Sequence, residues 1–223
     1  MNLLARSDSS TISKFLKKSV VITENPNSVI AEQFRTLRTN LQFISKTKEL
    51  RSLIVTSPSY GEGKTTTSVN LAISIAEQGK KVLVVDGNLR NPGVHASFKL
   101  KNSLGLTNVL LGETTFKEAI NRTEIGRLDV VTSGTLIASP SKLIKADTIS
   151  NIIEECLEEY DLVIFDAPPV LEVSDTNIIS NLFDGVILVI CQNKTKRDDA
   201  IEAKRMLEMA EANLIGITLN KKR

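Results

Sequence analysis

Tryptophan is absent from the 223-residue chain, histidine occurs once, at His95, and cysteine twice, at Cys156 and Cys191. A lone imidazole gives no support to a metal centre built on several histidines or to a Ser-His-Asp triad. The two cysteines have neither C-x-x-C nor metal-ligand spacing and stand in apolar surroundings, so reduced, buried thiols are expected. Aromatic residues make up 4% of the chain, too few for base-stacking platforms. Neither charge dominates: 28 Lys and Arg against 26 Asp and Glu leave a net charge of +2, which argues against a polyanion-binding surface and against nucleic acid as the partner. No apolar run approaches the ~20 residues of a membrane span, and residues 1–24 hold nothing like a signal peptide, so the expected location is the cytosol.

What is present is material for one sizeable core, with 41% hydrophobic residues. Residues 1–24, rich in serine and then basic at Lys14, Lys17 and Lys18, read as a flexible lead-in open to contact with an acidic membrane surface. Residues 25–223 read as one domain. It begins with Asn25-Pro26-Asn27-Ser28, a turn ending in a helix cap, and a helix over about 28–44. Ile30, Phe34, Leu37 and Leu41 form one stripe of that helix, while Glu32, Arg35 and Arg38 recur on a neighbouring face that, on pattern alone, is a solvated ion-pair surface. Strands are expected at Leu53–Thr56, Val82–Asp86, Leu128–Thr132, Leu162–Asp166, Val186–Cys191 and Leu214–Leu219. Helices are expected at Thr65–Gln78, within Leu106–Ile120, in Ser139–Tyr160, at Thr176–Leu182 and at Arg197–Ala212. Strands that read as unbroken apolar runs predict a mostly parallel sheet covered on both faces. The fold expected is therefore a doubly wound α/β domain with ligands at the carboxyl ends of its strands.

The most informative stretch is Ser57-Pro58-Ser59-Tyr60-Gly61-Glu62-Gly63-Lys64-Thr65-Thr66, placed where a buried strand turns into a helix. Gly61 and Gly63 let backbone N–H groups point inward, Lys64 can reach the β- and γ-phosphates, and the Thr65 hydroxyl can hold Mg²⁺. Pro58 stands where G-x-x-x-x-G-K-[ST] begins with glycine. Two strands end in aspartate, Asp86 and Asp166, beside such a loop, where they can ligate Mg²⁺ directly or through water. Asn88 and Arg90 follow Asp86 at two-residue steps and are expected to face the nucleotide; Arg90 is open to a phosphate, to Asp166 or to solvent. Asn220, at the end of the last strand, is open to an adenine contact or to a terminal polar cap.

With these motifs together, the chain from about Asn25 to Asn220 resembles the bacterial tyrosine kinases of capsule and exopolysaccharide clusters, P-loop ATPases of the partition-ATPase superfamily. The phosphate loop matches the family's first nucleotide motif. Asp86-x-Asn88-x-Arg90 matches Asp-x-Asp-x-Arg with Asn88 in place of the second aspartate, and Asp166, Pro168 and Pro169 match Asp-x-Pro-Pro. Glu32, Arg35 and Arg38 match the family's Glu-x-x-Arg-x-x-Arg oligomerisation motif, which the resemblance implies is a subunit contact of a ring. Ser59 occupies the position of the extra lysine of partition and division-site ATPases, which counts against that branch. The family's cluster of C-terminal tyrosines has no match here, where only Tyr60 and Tyr160 occur, and Tyr60 reads as a loop-shaping residue.

The resemblance implies ATP-dependent transfer of phosphate to protein tyrosine. Lys64, Asp86, Asn88, Arg90 and Asp166 are the implied catalytic residues. Ser59, Tyr60, Gly61, Glu62, Gly63, Lys64, Thr65, Thr66 and Asn220 are expected to bind the nucleotide, and Thr65, Asp86 and Asp166 the Mg²⁺. The implied partners are further copies of the chain, tyrosine-bearing proteins, and the cytoplasmic tail of a membrane polysaccharide co-polymerase that recruits the kinase to the inner face of the membrane. The loss of a carboxylate at Asn88 keeps a second reading in view, a nucleotide-dependent assembly ATPase of the same machinery that transfers little or nothing.

Overall fold

Short β-branched runs flanked by turn residues become the strands of this chain, and their side chains alternate between two apolar layers. The computed structural model describes residues 20–46 and 48–221. In chain order the helices are α1 (Val21–Glu24), α2 (Val29–Ser45), α3 (Lys64–Ala76), α4 (Val94–Ser97), α5 (Leu106–Leu110), α6 (Phe116–Ala119), α7 (Ala146–Glu159), α8 (Asp175–Ile179) and α9 (Arg197–Met209), with 3-10 turns at Pro140–Lys142 and Ser180–Leu182. The strands are β1 (Ser52–Thr56), β2 (Val82–Asp86), β3 (Ile120–Arg122), β4 (Leu128–Val131), β5 (Leu162–Asp166), β6 (Gly185–Cys191) and β7 (Leu214–Asn220).

They form one seven-stranded sheet in the order β3-β4-β2-β5-β1-β6-β7. All neighbours are parallel except β3, which runs antiparallel to β4 at one edge. The doubly wound reading is correct. Leu53, Val55, Val84 and Ile164 pack on one face with α2 and α3, whereas Ile54, Leu83, Val85 and Phe165 pack on the other with α7 and α9. Both faces being covered is why these strands carry apolar residues at every position.

At its amino end the described chain is packed rather than loose. Residues 1–19 of the expected lead-in lie outside the described residues, but in α1 Ile22 is fully buried and the N–H groups of Val21 and Ile22 donate to Asn70 Oδ1 at 2.8 and 3.2 Å. Residues 21 and 22, within the stretch read as a lead-in, are thus tied to α3. Ser28 caps α2 by accepting from the Ala31 N–H at 3.1 Å. Arg38 then pins α2 to α3, donating from Nη1 to the Ser74 carbonyl at 2.7 Å and to Ser74 Oγ at 3.0 Å.

Both thiols are buried and unpaired with one another, as expected. Burial, with the Glu155 charge nearby, pushes Cys156 up to about 12. Among the described residues no helix is long and apolar enough to cross a membrane.

Candidate active site

Strand β1 enters the site at Thr56, and backbone bonds from the segment after β5 fix the start of the loop that follows. Ala167 N donates to the Val55 carbonyl at 2.9 Å, Val170 N to Ser57 at 2.9 Å and Leu171 N to Pro58 at 3.3 Å, tying the segment after β5 alongside the phosphate loop. Pro58, lacking an N–H, still serves through its carbonyl. The loop then wraps through Gly61 and Gly63, at φ of +70° and +101°, where only glycine is free of strain. At Gly63 the space is closed as well, since a Cβ would lie 1.9 Å from Asn220 Nδ2. Lys64 opens α3 with 6% of its surface exposed, held at the mouth of the helix beside the aspartates.

The two strand-end aspartates are neighbours in register on β2 and β5. Asp166 accepts from Thr65 Oγ1 at 2.6 Å and from Ser68 Oγ at 3.1 Å. Asp86 accepts from the N–H groups of Asn88 at 3.2 Å, Gly93 at 3.0 Å and Val94 at 2.9 Å. Neither is exposed to solvent. Burial and the Asp166 charge push Asp86 up to about 7, against the pull of the Val94 N–H and of Lys64. Burial raises Asp166 too, while Lys64 and the hydroxyls of Thr65 and Ser68 oppose the shift. A pair of buried carboxylates under strain from one another, with a hydroxyl between them and the phosphate loop, suits a hard divalent cation. Among the described residues no group of three or more His, Cys, Asp or Glu is set to hold a metal by itself. Mg²⁺ takes one or two carboxylates and fills the rest of its shell with phosphate oxygens and water, so Asp86, Asp166 and the Thr65 hydroxyl are donors of the right kind for it.

Three of the expected residues bond to neighbouring protein groups. The Asn88 side chain closes the turn it begins, donating from Nδ2 to the Asn91 carbonyl at 2.6 Å and accepting from Asn91 N at 3.4 Å. Arg90 does not reach Asp166. Its Nε lies 3.6 Å from Asp175 Oδ2 and its Nη2 donates to Ser141 Oγ. Asn220 donates from Nδ2 to the Glu62 carbonyl at 2.8 Å and accepts from Lys221 N at 2.8 Å, so its amide braces the phosphate loop. Three residues escaped the sequence reading. Ser68 had a signal, since it follows Thr65 by three positions and so shares its helical face. Asp175, the partner of Arg90, and Thr195, whose hydroxyl donates to Glu62, had none, because these partners are distant in the chain.

Residues 50–201 match the family model of the AAA domain. Tyrosine-protein kinase YwqD of Bacillus subtilis (strain 168) is 40% identical over 208 residues, which cover 93% of this chain and 88% of that protein. The chain belongs to the bacterial tyrosine kinases. Solved structures agree with this family assignment. The chimerical protein CapA2B2 superposes with a TM-score of 0.86 at 34% identity, covering 96% of this chain and 99% of that one. The kinase domain of Escherichia coli tyrosine kinase ETK gives 0.85 at 30% identity, covering 91% and 81%. Across this bacterial tyrosine kinase site, therefore, the phosphate loop, Asp86 and Asp166 come together as the sequence predicts, whereas Asn88, Arg90 and Asn220 act on neighbouring protein groups.

Proposed function

We infer that this bacterial tyrosine kinase transfers the γ-phosphate of ATP to tyrosine hydroxyls of proteins that serve capsule or exopolysaccharide synthesis. The observation that carries the reading is the contact of Thr65 and Ser68 in the phosphate-loop helix with Asp166, in register with Asp86 and facing Lys64. Lys64 and the loop N–H groups from Gly61 to Thr65 bind the phosphates. Thr65, Asp86 and Asp166 would hold Mg²⁺, which when bound offsets phosphate charge. The acceptor phenol, of ordinary pKa ~10, attacks the γ-phosphorus. The bond to the β-phosphate oxygen breaks, ADP leaves, and the phenolic proton passes to a carboxylate of the pair. Burial raises both carboxylates, Asp86 to about 7, toward the range in which a carboxylate accepts a proton near neutral pH.

Arg90 is held at the rim by Asp175, and Asn88 shapes the turn that places it. Glu32 and Arg35 on α2 are the residues of the Glu-x-x-Arg-x-x-Arg helix left for contact with a second copy, and a membrane partner's cytoplasmic tail would bring the assembly to the membrane. The test is transfer of labelled γ-phosphate from ATP to a tyrosine substrate in the presence of such a tail. Lys64→Met should remove it; equal transfer by the variant refutes the reading.

A further inference from the structure

A carboxylate buried inside a loop that binds a polyanion carries the wrong charge for its surroundings, and Glu62 is such a group, with 2% of its surface exposed. Its bonds say what it does there. One carboxylate oxygen accepts from the Ser59 N–H at 2.8 Å, closing the phosphate loop on itself. The other accepts from the Thr195 hydroxyl, in the segment between β6 and α9. Thr195 is aimed for that task, because its oxygen accepts from the Cys191 N–H at 2.8 Å and its proton is thereby turned toward Glu62. Two further bonds join the same surfaces. Lys194 Nζ donates to the Tyr60 carbonyl at 2.6 Å, and Asn220 holds the Glu62 carbonyl as described. The phosphate loop is thus clasped from outside along Tyr60 and Glu62 by a segment far away in sequence.

We propose that Glu62 is a positioning residue, through which Thr195 keeps the phosphate loop in its wrapped, nucleotide-competent form. The physical ground is conformational. A loop with two glycines in the left-handed region has many alternatives, and only the wrapped one aims its N–H groups inward. Apparent nucleotide affinity falls by the fraction of molecules that are wrapped. A hydrogen bond to a buried charge is strong enough to move that fraction about tenfold. Glu62 touches no phosphate in this scheme, and its buried charge is tolerated because both oxygens are hydrogen-bonded, one to the Ser59 N–H and one to the Thr195 hydroxyl. The inference rests on the loop being the nucleotide site.

The test is calorimetric titration of the full chain with ADP and Mg²⁺, alongside transfer kinetics and melting curves for Glu62→Gln, Thr195→Val, Thr195→Ser and the Glu62→Gln/Thr195→Val pair. Thr195→Val and Glu62→Gln should each bind ADP about tenfold more weakly, and the pair no more weakly than the worse single change. Thr195→Ser, which keeps the hydroxyl, should bind as the parent does. For Thr195→Val, KM for ATP should rise while kcat at saturation stays within about twofold. Parent-like binding by Thr195→Val, a Thr195→Ser variant as weak as Thr195→Val, or losses that multiply in the pair would overturn the proposal. A fall in melting temperature with nucleotide affinity unchanged would reduce Glu62 to a structural residue, which also overturns it. A parent chain that binds no nucleotide is a separate outcome: it refutes the site itself, and this inference with it.

Discussion

Replacing Asp86 by asparagine tests the electrostatics of the site without any ligand. In the folded protein, burial and the adjacent Asp166 push Asp86 from an ordinary 3.8 to about 7. Between those values the nucleotide-free folded protein holds a proton that the unfolded chain has released. This group's contribution to stability is therefore fully present below pH 3.8 and is lost as the pH rises through about 7. The slope is at most about 1.4 kcal/mol per pH unit for one proton, and the whole window is worth up to about 4 kcal/mol. Asparagine removes this titration but has only one carbonyl oxygen. Facing Gly93 N and Val94 N it keeps the shorter bonds and turns its NH₂ on the Asn88 N–H, the longest of the three. That mismatch costs about 1–2 kcal/mol at every pH. Urea unfolding in EDTA across about pH 4 to pH 8 should then give crossing curves, the variant less stable at the acid end and more stable at the alkaline end. With Mg²⁺ and ADP added the order at the alkaline end should reverse, since only the parent supplies the carboxylate. Parallel curves for parent and variant would refute the argument that Asp86 is a strained, buried acid.

Gly63→Ala should weaken ADP binding at least tenfold by calorimetry, because the added Cβ meets Asn220 Nδ2 at 1.9 Å and φ is +101°; the left-handed strain alone costs about 1–2 kcal/mol. Adding Asn220→Ala should recover only part of the loss, since the strain remains. Tyr160→Phe removes the hydroxyl's 2.8 Å bond to Asp129 beneath Lys81 and should cost about 1 kcal/mol, a fall of about 2–4 °C in melting temperature. Peptide mapping after incubation with ATP should find no phosphate on Tyr160, a residue that is 4% exposed. Glu32→Arg should disperse an assembly seen by light scattering while leaving the melting temperature unchanged, because its side chain is 69% exposed and makes one surface ion pair with Arg35. Arg38→Ala should lower the melting temperature whether or not the protein assembles, through its lost bonds to Ser74.

The core elements were legible because each carries a local signal. The runs Val82–Asp86 and Leu162–Asp166 are long enough in β-branched and large apolar residues to be strands whatever lies around them, and both boundaries hold in the structure. Strand β3 was invisible, since Ile120-Asn121-Arg122 has no period of its own and pairs only because β4 offers an edge. Helix α8 and the turn after it read as one segment, Thr176–Leu182, because the switch from α to 3-10 geometry at Ser180 leaves no mark in the residue types.

The site divides in the same way. Gly61, Gly63, Lys64 and Thr65 were recognisable because the chemistry of phosphate binding needs them contiguous, and Asp86 and Asp166 because strand ends in a parallel sheet converge. Where side chains point was not recognisable. Asn88 and Arg90 follow Asp86 at the spacing of an extended segment, but the chain turns at Asn88, whose own amide closes the turn, so the alternation that would aim both at a nucleotide stops there. Arg38 illustrates the converse. Three-residue spacing places Glu32, Arg35 and Arg38 near one another on α2, yet the helix lies on α3 so that Arg38 is drawn inward to Ser74, while Glu32 and Arg35 pair at the surface. A motif can therefore be contiguous in sequence and divided in its contacts: Arg38 holds α2 to α3 through Ser74, while Glu32 and Arg35 pair with one another at the surface.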